Sequence, residues 1–310
     1  MLLLRDLNRL PTAARGGAVS IGNFDGVHCG HAKLVERLRR RADEVGGPAV
    51  VFTFDPHPAT LLRPDRAPTP LTWMERRADL LAKAGADVLL ACPTTHDLLA
   101  LSPQEFFDRA IAGALDAKAL IEGPNFYFGK DRAGDVKTLR SLCDERGIAL
   151  EILDAAVSEG ETISSSRIRR LLSAGAVGEA AALLTEPYRI RGRVVSGERR
   201  GRNLGFPTAN LDEIDTLVPG DGIYAGRFVW PGGERATAIH VGPNITFGES
   251  VRKIECHLVD FKGDLYGAPA EVTFLARLRE VQPFPSAERL IEALHADVAR
   301  TREIVTMTSD

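Results

Sequence analysis

The chain has 310 residues, of which 44% are hydrophobic and 26% are charged, and its formal net charge is −3. Such a length favours two domains, and the composition is typical of a globular protein. The slightly acidic charge gives no reason to expect nucleic acid as a partner, and no apolar run predicts a signal peptide or membrane span. The four cysteines are scattered, which favours reduced thiols in the cytoplasm over disulfides or a zinc site. The sequence leaves self-association open.

Strand-like and helix-like patterns alternate through the first half of the chain. This alternation predicts a doubly wound α/β domain with a mostly parallel sheet, in which ligands bind beyond the carboxyl ends of the strands. Ser102, followed by a proline and an acid, predicts a capped helix start, and a second predicted helix, 135–146, ends at Gly147. The predicted strands span residues 17–21, 49–54, 87–91, 119–122 and 149–153.

The stretch after the first predicted strand is rich in glycine and histidine and precedes an amphipathic run. Backbone N–H groups at a helix start favour an anion, and glycines let the backbone approach it closely. His28 and His31 add two donors, and no metal-ligand set accompanies them. The stretch predicts a polyphosphate cradle for a nucleotide, with a tight structural turn as the alternative. The residues assigned to the cradle are Gly22, Asn23, Phe24, Asp25, His28, Gly30 and His31.

Three later loops of this domain carry further candidates. His57 lies between two prolines, which favours either a ligand loop or a rigid turn. Three consecutive aromatics at 126–128 can cap the core or stack on a flat ring, with Asn125 hydrogen-bonding the edge of that ring. Ser164, Ser165 and Arg167 lie at a predicted helix start, and they are interpreted either as a second phosphate clamp or as a capped surface helix.

Strand patterns dominate from residue 188 onward, which places a domain boundary near residue 186 and predicts domains 1–186 and 187–310. Several short strands at this spacing predict a small antiparallel β-barrel. An amphipathic helix over 286–302 closes the domain. The predicted strands span 188–195, 223–229, 236–241, 253–261 and 270–276.

The basic loop 197–211 is the first chemical candidate of the second domain. Gly201 and Gly205 allow backbone N–H groups to wrap phosphates. Thr208 and Asn210 follow Pro207, lie two apart on an extended segment and are oxygen ligands suited to Mg²⁺. A structural turn is the alternative. Further on, Glu255 shares a strand face with His257 and can act as a carboxylate base, although a solvated face gives the same pattern.

These motifs together resemble the bifunctional bacterial riboflavin kinase/FAD synthetase family along nearly the whole chain. Each motif alone is weak, but their order and spacing are specific. The matching stretches are 22–31, 53–58, 123–129, 164–169, 201–210, 222–224 and 255–267.

The resemblance implies a nucleotidyltransferase-type domain that adenylylates FMN to FAD, followed by a barrel that phosphorylates riboflavin to FMN. Both steps use ATP, Mg²⁺ is the implied cofactor with its ligands in the barrel, and the partners are small molecules. The matched positions are His28 and His31 for phosphate binding, Asn125 in the flavin loop, Ser165 and Arg167 in a second phosphate motif, Thr208 and Asn210 for Mg²⁺ and phosphate, and Glu255 as the base.

This chain departs from the family pattern at several positions. Ser166 replaces a usual threonine, which keeps the hydroxyl. His240 stands where the family tends to have asparagine, and Ile245 stands where it tends to have proline. The detailed shape of the kinase's flavin pocket therefore does not follow from the resemblance. The alternatives to the bifunctional enzyme are a nucleotidyltransferase for another phosphorylated acceptor and a non-catalytic flavin-binding protein.

Overall fold

The computed structural model describes residues 1–198, 201, 204–245 and 250–308. The chain forms two compact units. The first comprises Met1–Thr69 and Trp73–Ser164, and the second comprises Pro70–Thr72 and the chain from Ser165 onward. Within the described ranges, no helix combines the length and the apolar character that a membrane crossing requires.

The first unit contains a six-stranded sheet in the order β1-β4-β3-β2-β5-β6, and all neighbouring strands are parallel. This confirms the predicted parallel α/β fold. The short edge strand β1 was not predicted, because a three-residue apolar run carries no periodicity. The strands are β1 Leu2–Leu4, β2 Ala18–Ile21, β3 Ala49–Asp55, β4 Val88–Pro93, β5 Ala119–Glu122 and β6 Ala149–Ile152.

Helices cover both faces of this sheet. The helices of the first unit are α1 Cys29–Val45, α2 Ala59–Leu62, α3 Met74–Lys83, α4 His96–Leu99, α5 Pro103–Phe106 and α6 Val136–Arg146. Alternate residues of β3 enter two different apolar clusters: Val50 and Phe52 lie in one, and Ala49 and Val51 in the other. Such two-sided burial is what parallel sheets require.

The predicted helix signals at Ser102 and Gly147 are confirmed. The Ser102 hydroxyl accepts from the Glu105 N–H while the Glu105 carboxylate accepts from the Ser102 N–H, which is a complete capping box. After α5 the chain continues as a π-helical segment, Phe107–Ala114. Gly147 ends α6 in the left-handed conformation. The small hairpin of β7 Val157–Ser158 and β8 Glu161–Thr162 follows β6.

The second unit contains a closed antiparallel barrel in the order β10-β13-β12-β11-β14-β9. The predicted barrel and closing helix are confirmed, and β10 is a strand that the sequence pattern did not separate from its loop. The elements are α7 Ser165–Ser173, α8 Val177–Leu183, β9 Arg189–Val195, β10 Ala209–Asp212, β11 Gly222–Trp230, β12 Gly233–Gly242, β13 Lys253–Leu258, β14 Pro269–Arg279 and α9 Ala287–Met307.

The barrel strands alternate between a packed interior and a partly exposed outer face. On β13, Ile254, Cys256 and Leu258 are buried, whereas Glu255 and His257 between them are only partly buried. The period of two along the strand therefore places polar candidates outside the barrel core.

Candidate active sites

The Gly22–Val27 turn joins β2 to α1 at the carboxyl edge of the parallel sheet. Phe24 and Val27 have positive φ angles of 46° and 40°, and both are almost fully buried. Residues with a Cβ rarely adopt this conformation, so surrounding packing must hold it. The turn is therefore a fixed piece of backbone immediately before a helix start.

His28 caps α1 with its side chain. The His28 Nδ1 accepts a hydrogen bond from the backbone N–H of His31 at 3.2 Å. A Cβ at position 30 would lie 3.1 Å from this Nδ1 atom, which explains the glycine found there. Since Nδ1 is the acceptor, a neutral His28 carries its proton on Nε2 and can donate from that atom.

The two histidine rings stack, with centroids 3.6 Å apart and planes 14° apart. Burial lowers the pKa of His28 to about 4, although its backbone hydrogen bond and Asp25 act in the opposite direction. Burial, together with His28 and Arg77, also holds the pKa of His31 well below its ordinary value. Both rings are therefore neutral at pH 7, and the Nδ1 of His31 is buried with no hydrogen-bond partner among the described residues.

Arg77 on α3 braces the turn, and sequence reasoning missed it. Its guanidinium lies 3.0 Å from the Asp25 carboxylate, and both side chains are less than a tenth exposed. It also donates to the Asn23 carbonyl at 3.1 Å, which accepts a second bond from Thr53. In the sequence, an arginine inside an amphipathic helix looks like a solvated residue, so no signal distinguished it.

The cradle lies at the switch point of the sheet, where β3 continues to one side of β2 and β5 to the other. Backbone pairing between β2 and β5 covers only Ala18 with Ala119 and Val19 with Leu120. After these two pairs, the Ile21 N–H of β2 donates instead to the buried Glu122 side-chain carboxyl at 2.7 Å. Burial raises the pKa of Glu122 well above its ordinary value, so the group is protonated at pH 7. Ligands bind in such crevices between diverging strands.

The other predicted loops of the first unit have mixed environments. The His57 ring accepts from the Ala59 N–H at 3.0 Å, within the turn that two prolines fix. Of the three aromatics, Phe128 and Phe126 stack and pack against the core, while Tyr127 is 49% exposed. Asn125 is exposed beside them.

The serine–arginine motif begins a helix, as predicted. Ser164 closes the first compact unit, and Ser165 and Arg167 lie in the first turn of α7, which belongs to the second. Arg167 is only 8% exposed, so this arginine is not a solvated surface residue. Joint action of this motif and the histidines on one triphosphate remains a prediction.

In the second unit, three adjacent strands bring polar side chains into one row. Antiparallel register places Asn210 of β10 opposite Glu255 of β13, and Glu255 opposite His240 of β12. Cross-strand partners point to the same face of a sheet, and this is the outer face of the barrel. The row joins Asn210, assigned to Mg²⁺, with Glu255, assigned as the base.

The Glu255 carboxylate is held on one side. Asn244 Nδ2 donates to its Oε2 at 3.1 Å, and His240 Nδ1 approaches the same oxygen at 3.6 Å. Burial alone would raise the pKa of Glu255, but His240, Asn244 and the charge of Lys253 together outweigh burial, and the pKa lies below its ordinary value. The group is therefore ionised at pH 7. In the part of the chain that the structure describes, no hydrogen bond reaches Oε1.

A largely apolar cavity adjoins this row. Sheet residues form one wall and a stripe of α9 forms the other, with the Arg279–Asp297 ion pair between them at 2.8 Å. The lining residues are Glu198, Gly201, Leu204, Phe206, Thr208, Ile223, Ala238, Ile239, His240, Pro243, Asn244, Ile245, Glu255, His257, Arg279, Val281, Gln282, Phe284, Leu290, Leu294, Asp297 and Val298.

The described residues of the loop before β10 are held by backbone hydrogen bonds and by His257. The Gly201 carbonyl accepts from the N–H groups of Leu204 and Phe206, and Gly205 has a φ of +85°. His257 Nδ1 lies 2.9 Å from the Pro207 carbonyl, which can only accept, so Nδ1 carries the proton. This contact fixes the residue before Thr208. Residues 199–200 and 202–203 of the predicted loop, and 246–247 of the departing stretch, lie outside the described residues.

Comparison with protein families gives the class of protein that these two units define. The chain matches the FAD synthetase family over residues 10–167 and the riboflavin kinase family over residues 184–305. The first match contains the Gly22–Val27 turn and both histidines, and the second contains the whole barrel with Glu255.

Curated relatives match nearly end to end. The chain is 38% identical to the bifunctional riboflavin kinase/FMN adenylyltransferase of Pseudomonas fluorescens, covering 98% of each chain. It is 33% identical to the Escherichia coli protein of the same name, covering 99% of each. A solved structure titled macrolide-efflux protein from Streptococcus pneumoniae has a TM-score of 0.86 and 31% identity, covering 97% of this chain and 98% of that one. The chain belongs to the bifunctional riboflavin kinase/FMN adenylyltransferase family.

Proposed function

We propose that the second unit phosphorylates riboflavin to FMN and that the first unit adenylylates FMN to FAD, each step consuming one ATP. The observation that carries the proposal is the ionised Glu255 carboxylate beside a cavity of suitable apolar character, with one oxygen held and the other available. A positioned base and a ring-binding pocket are what phosphorylation of a flavin alcohol requires.

In the kinase step, Glu255 accepts the proton of the terminal ribityl hydroxyl. The oxygen of that hydroxyl bonds to the ATP γ-phosphorus, the bond to the bridging oxygen breaks, and ADP leaves. The cavity residues of α9 hold the isoalloxazine ring, while Glu255 approaches from the sheet. Positioning and charge neutralisation do most of the work in such transfers.

The residues around Thr208 and Asn210 suit Mg²⁺ as the cation of this step. Gly197 packs directly against the Asn210 amide, where a Cβ would collide, and the Thr208 hydroxyl lies near Gly201. The two side chains thus offer a hydroxyl and an amide oxygen close to backbone that can approach phosphates, and Mg²⁺ typically needs few protein ligands beside phosphates and water. Bound there, the ion would neutralise phosphate charge.

In the adenylylation step, an FMN phosphate oxygen attacks the α-phosphorus of a second ATP and pyrophosphate leaves. The FMN phosphate is already an anion, so the step needs no general base. His28 and His31, with the backbone of the Gly22–Val27 turn, stabilise the charge on the phosphates. Arg167 is assigned to the same step as a phosphate-binding residue. Asn125 and the loop around it contact the flavin.

The remaining assignments belong to this proposal. In terms of sequence, residues 1–186, which include α7 and α8 in addition to the first unit, supply the adenylyltransferase, and residues 187–310 supply the kinase. The partners are small molecules, not nucleic acid or membranes, and the enzyme works in the cytoplasm; self-association is left to measurement.

The test is one incubation of the purified chain with riboflavin, ATP and Mg²⁺, followed by chromatography of the flavins over time. FMN that appears first and FAD that appears later is the expected result. FMN without FAD contradicts the role of the first unit, and unchanged riboflavin contradicts the role of the barrel. A parallel incubation with FMN tests the first unit alone.

A further inference from the structure

Asn210, Glu255 and His240 form the row of polar side chains on the barrel, and His240 is the member to which the proposed function assigns no role. It lies on β12 directly opposite Glu255, and both side chains are 18% exposed. It lines the same cavity as Glu255. A residue that touches both a proposed base and the substrate cavity can affect orientation of the base, binding of the substrate, or both.

One ring nitrogen of His240 faces the base. Its Nδ1 lies 3.6 Å from Oε2 of Glu255, longer than a hydrogen bond but within reach of one after a small movement. Asn244 donates to the same oxygen. With Asn244 bound to Oε2 and His240 beside it, Oε1 is the oxygen left for the incoming hydroxyl, and a carboxylate fixed in this way loses less freedom in the transition state.

The other ring nitrogen is buried and lacks a partner. Nε2 of His240 makes no hydrogen bond to any residue that the structure describes. Buried polar atoms are nearly always satisfied, so an unsatisfied atom in a residue that lines the cavity indicates a ligand group. The substrate of the proposed kinase carries a chain of hydroxyl groups, each of which can donate or accept.

We propose that His240 is a positioning residue for Glu255 through Nδ1 and a specificity-determining contact through Nε2, which binds a ribityl hydroxyl other than the one that is phosphorylated. This inference rests on the proposed kinase function. It predicts that the two nitrogens contribute to different kinetic constants, because one acts on the base and the other on the bound substrate.

Two substitutions separate the two nitrogens. In H240N, the amide nitrogen can take the place of Nδ1, but nothing replaces Nε2. We expect kcat for FMN formation to stay within about twofold and the KM for riboflavin to rise about fivefold to tenfold, as for one lost hydrogen bond. In H240L neither nitrogen remains, and kcat should also fall at least about tenfold. The R235N variant, on an exposed position of the same strand, should match the wild type.

Lumiflavin, which has the flavin ring but no hydroxyl chain, is the probe for the second contact. Its inhibition constant against riboflavin should be the same for wild type and H240N. An equal loss of lumiflavin and riboflavin affinity would show that Nε2 does not contact the hydroxyl chain. That result would overturn the proposed specificity contact.

The remaining outcomes also decide the matter. A kcat of H240L within twofold of wild type overturns the positioning role, and an unchanged riboflavin KM in H240N overturns the contact. Unchanged lumiflavin binding shows that the pocket of a variant is folded, and FAD formation from supplied FMN reports on the first unit. A wild-type chain without kinase activity would instead contradict the proposed function itself.

Discussion

The two candidate sites are built in opposite ways. In the first unit, the Gly22–Val27 turn and the α1 start offer backbone N–H groups, and the nearby histidines are neutral. In the barrel, side chains on three neighbouring strands form the site, and its central group is an ionised carboxylate. The first arrangement suits a reaction whose nucleophile is already charged, and the second suits one whose hydroxyl nucleophile must lose a proton.

This contrast shows what each site depends on. A backbone site depends on the groups that hold the turn in place, such as Arg77 and Glu122, which lie beneath it. A side-chain site depends on the chemistry of a few groups at its surface. Substitutions of the groups that support the first site should therefore act through stability and geometry, and substitutions at the barrel site should act through the rate of the chemical step.

The largest effect is expected for E255Q. The amide cannot accept the hydroxyl proton, so FMN formation from riboflavin should fall by about 1,000-fold or more. FAD formation from supplied FMN should be unchanged, because that step uses the other site. Chromatography of both reactions measures this, and loss of both activities together would refute the two-site assignment.

Replacing Arg77 with Met should damage the first unit. The change removes the guanidinium that pairs with the buried Asp25 carboxylate, and breaking a buried ion pair typically costs about 3–5 kcal/mol of stability. Denaturant unfolding and FAD formation should both show the loss, while FMN formation from riboflavin should persist. R40M is the matched control, since the Arg40–Glu36 pair is more than 60% exposed on each side. Equal stability of the two variants would contradict a bracing role for Arg77.

The substitution H31A tests the phosphate contact directly. Removing one group that stabilises transition-state charge should slow adenylylation about 100-fold. The exposed His96 at the start of α4 provides a control, and H96A should leave the rate unchanged. If H31A forms FAD at the wild-type rate, the ring pair is only part of the helix cap.

The smallest effect concerns E122Q and depends on pH. Unfolded Glu122 ionises above its ordinary pKa while the folded group keeps its proton, so unfolding releases a proton and stability falls as pH rises. Glutamine still accepts from the Ile21 N–H but cannot ionise. At pH 8, E122Q should therefore have a higher melting temperature than the wild type, by about 2–4 °C for each kcal/mol of stability gained. Near pH 4 the two proteins should melt at the same temperature.

A melting difference that stays constant between pH 4 and pH 8 would contradict the protonated state of Glu122. The histidine pair lowers stability at acidic pH, because its unfolded rings gain protons below their ordinary pKa of 6.5. Both proteins contain that pair, so its contribution cancels in the comparison.

Much of the fold was predictable from the sequence because period and capping are local signals. The strands after residue 17, the Ser102 capping box and the barrel strands follow from patterns a few residues long. The first strand was missed because its partner, β4, is distant in sequence and its own pattern is too short. The turn around Gly22 was predicted because glycines and histidines cluster there.

The supporting residues could not be predicted because their roles arise from tertiary burial. Arg77 and Glu122 belong to charged residue types that are usually exposed, and only the packed structure shows Arg77 buried against the turn after β2 and Glu122 buried against the end of β2. The pairing of His240 with Glu255 depends on strand register, which a sequence pattern does not give.

The α9 helix forms one wall of the cavity on the outside of the barrel, while Tyr224, Phe228 and Phe274 fill the interior. Under the proposed function, the residues that stabilise the barrel are therefore a different set from the residues that contact the ligand. Leu290, Leu294 and Val298 form a single stripe at helical spacing, away from the β13 carboxylate. An engineer could vary this stripe to admit altered ring systems while the interior continues to hold the domain together, and natural variation can proceed by the same route.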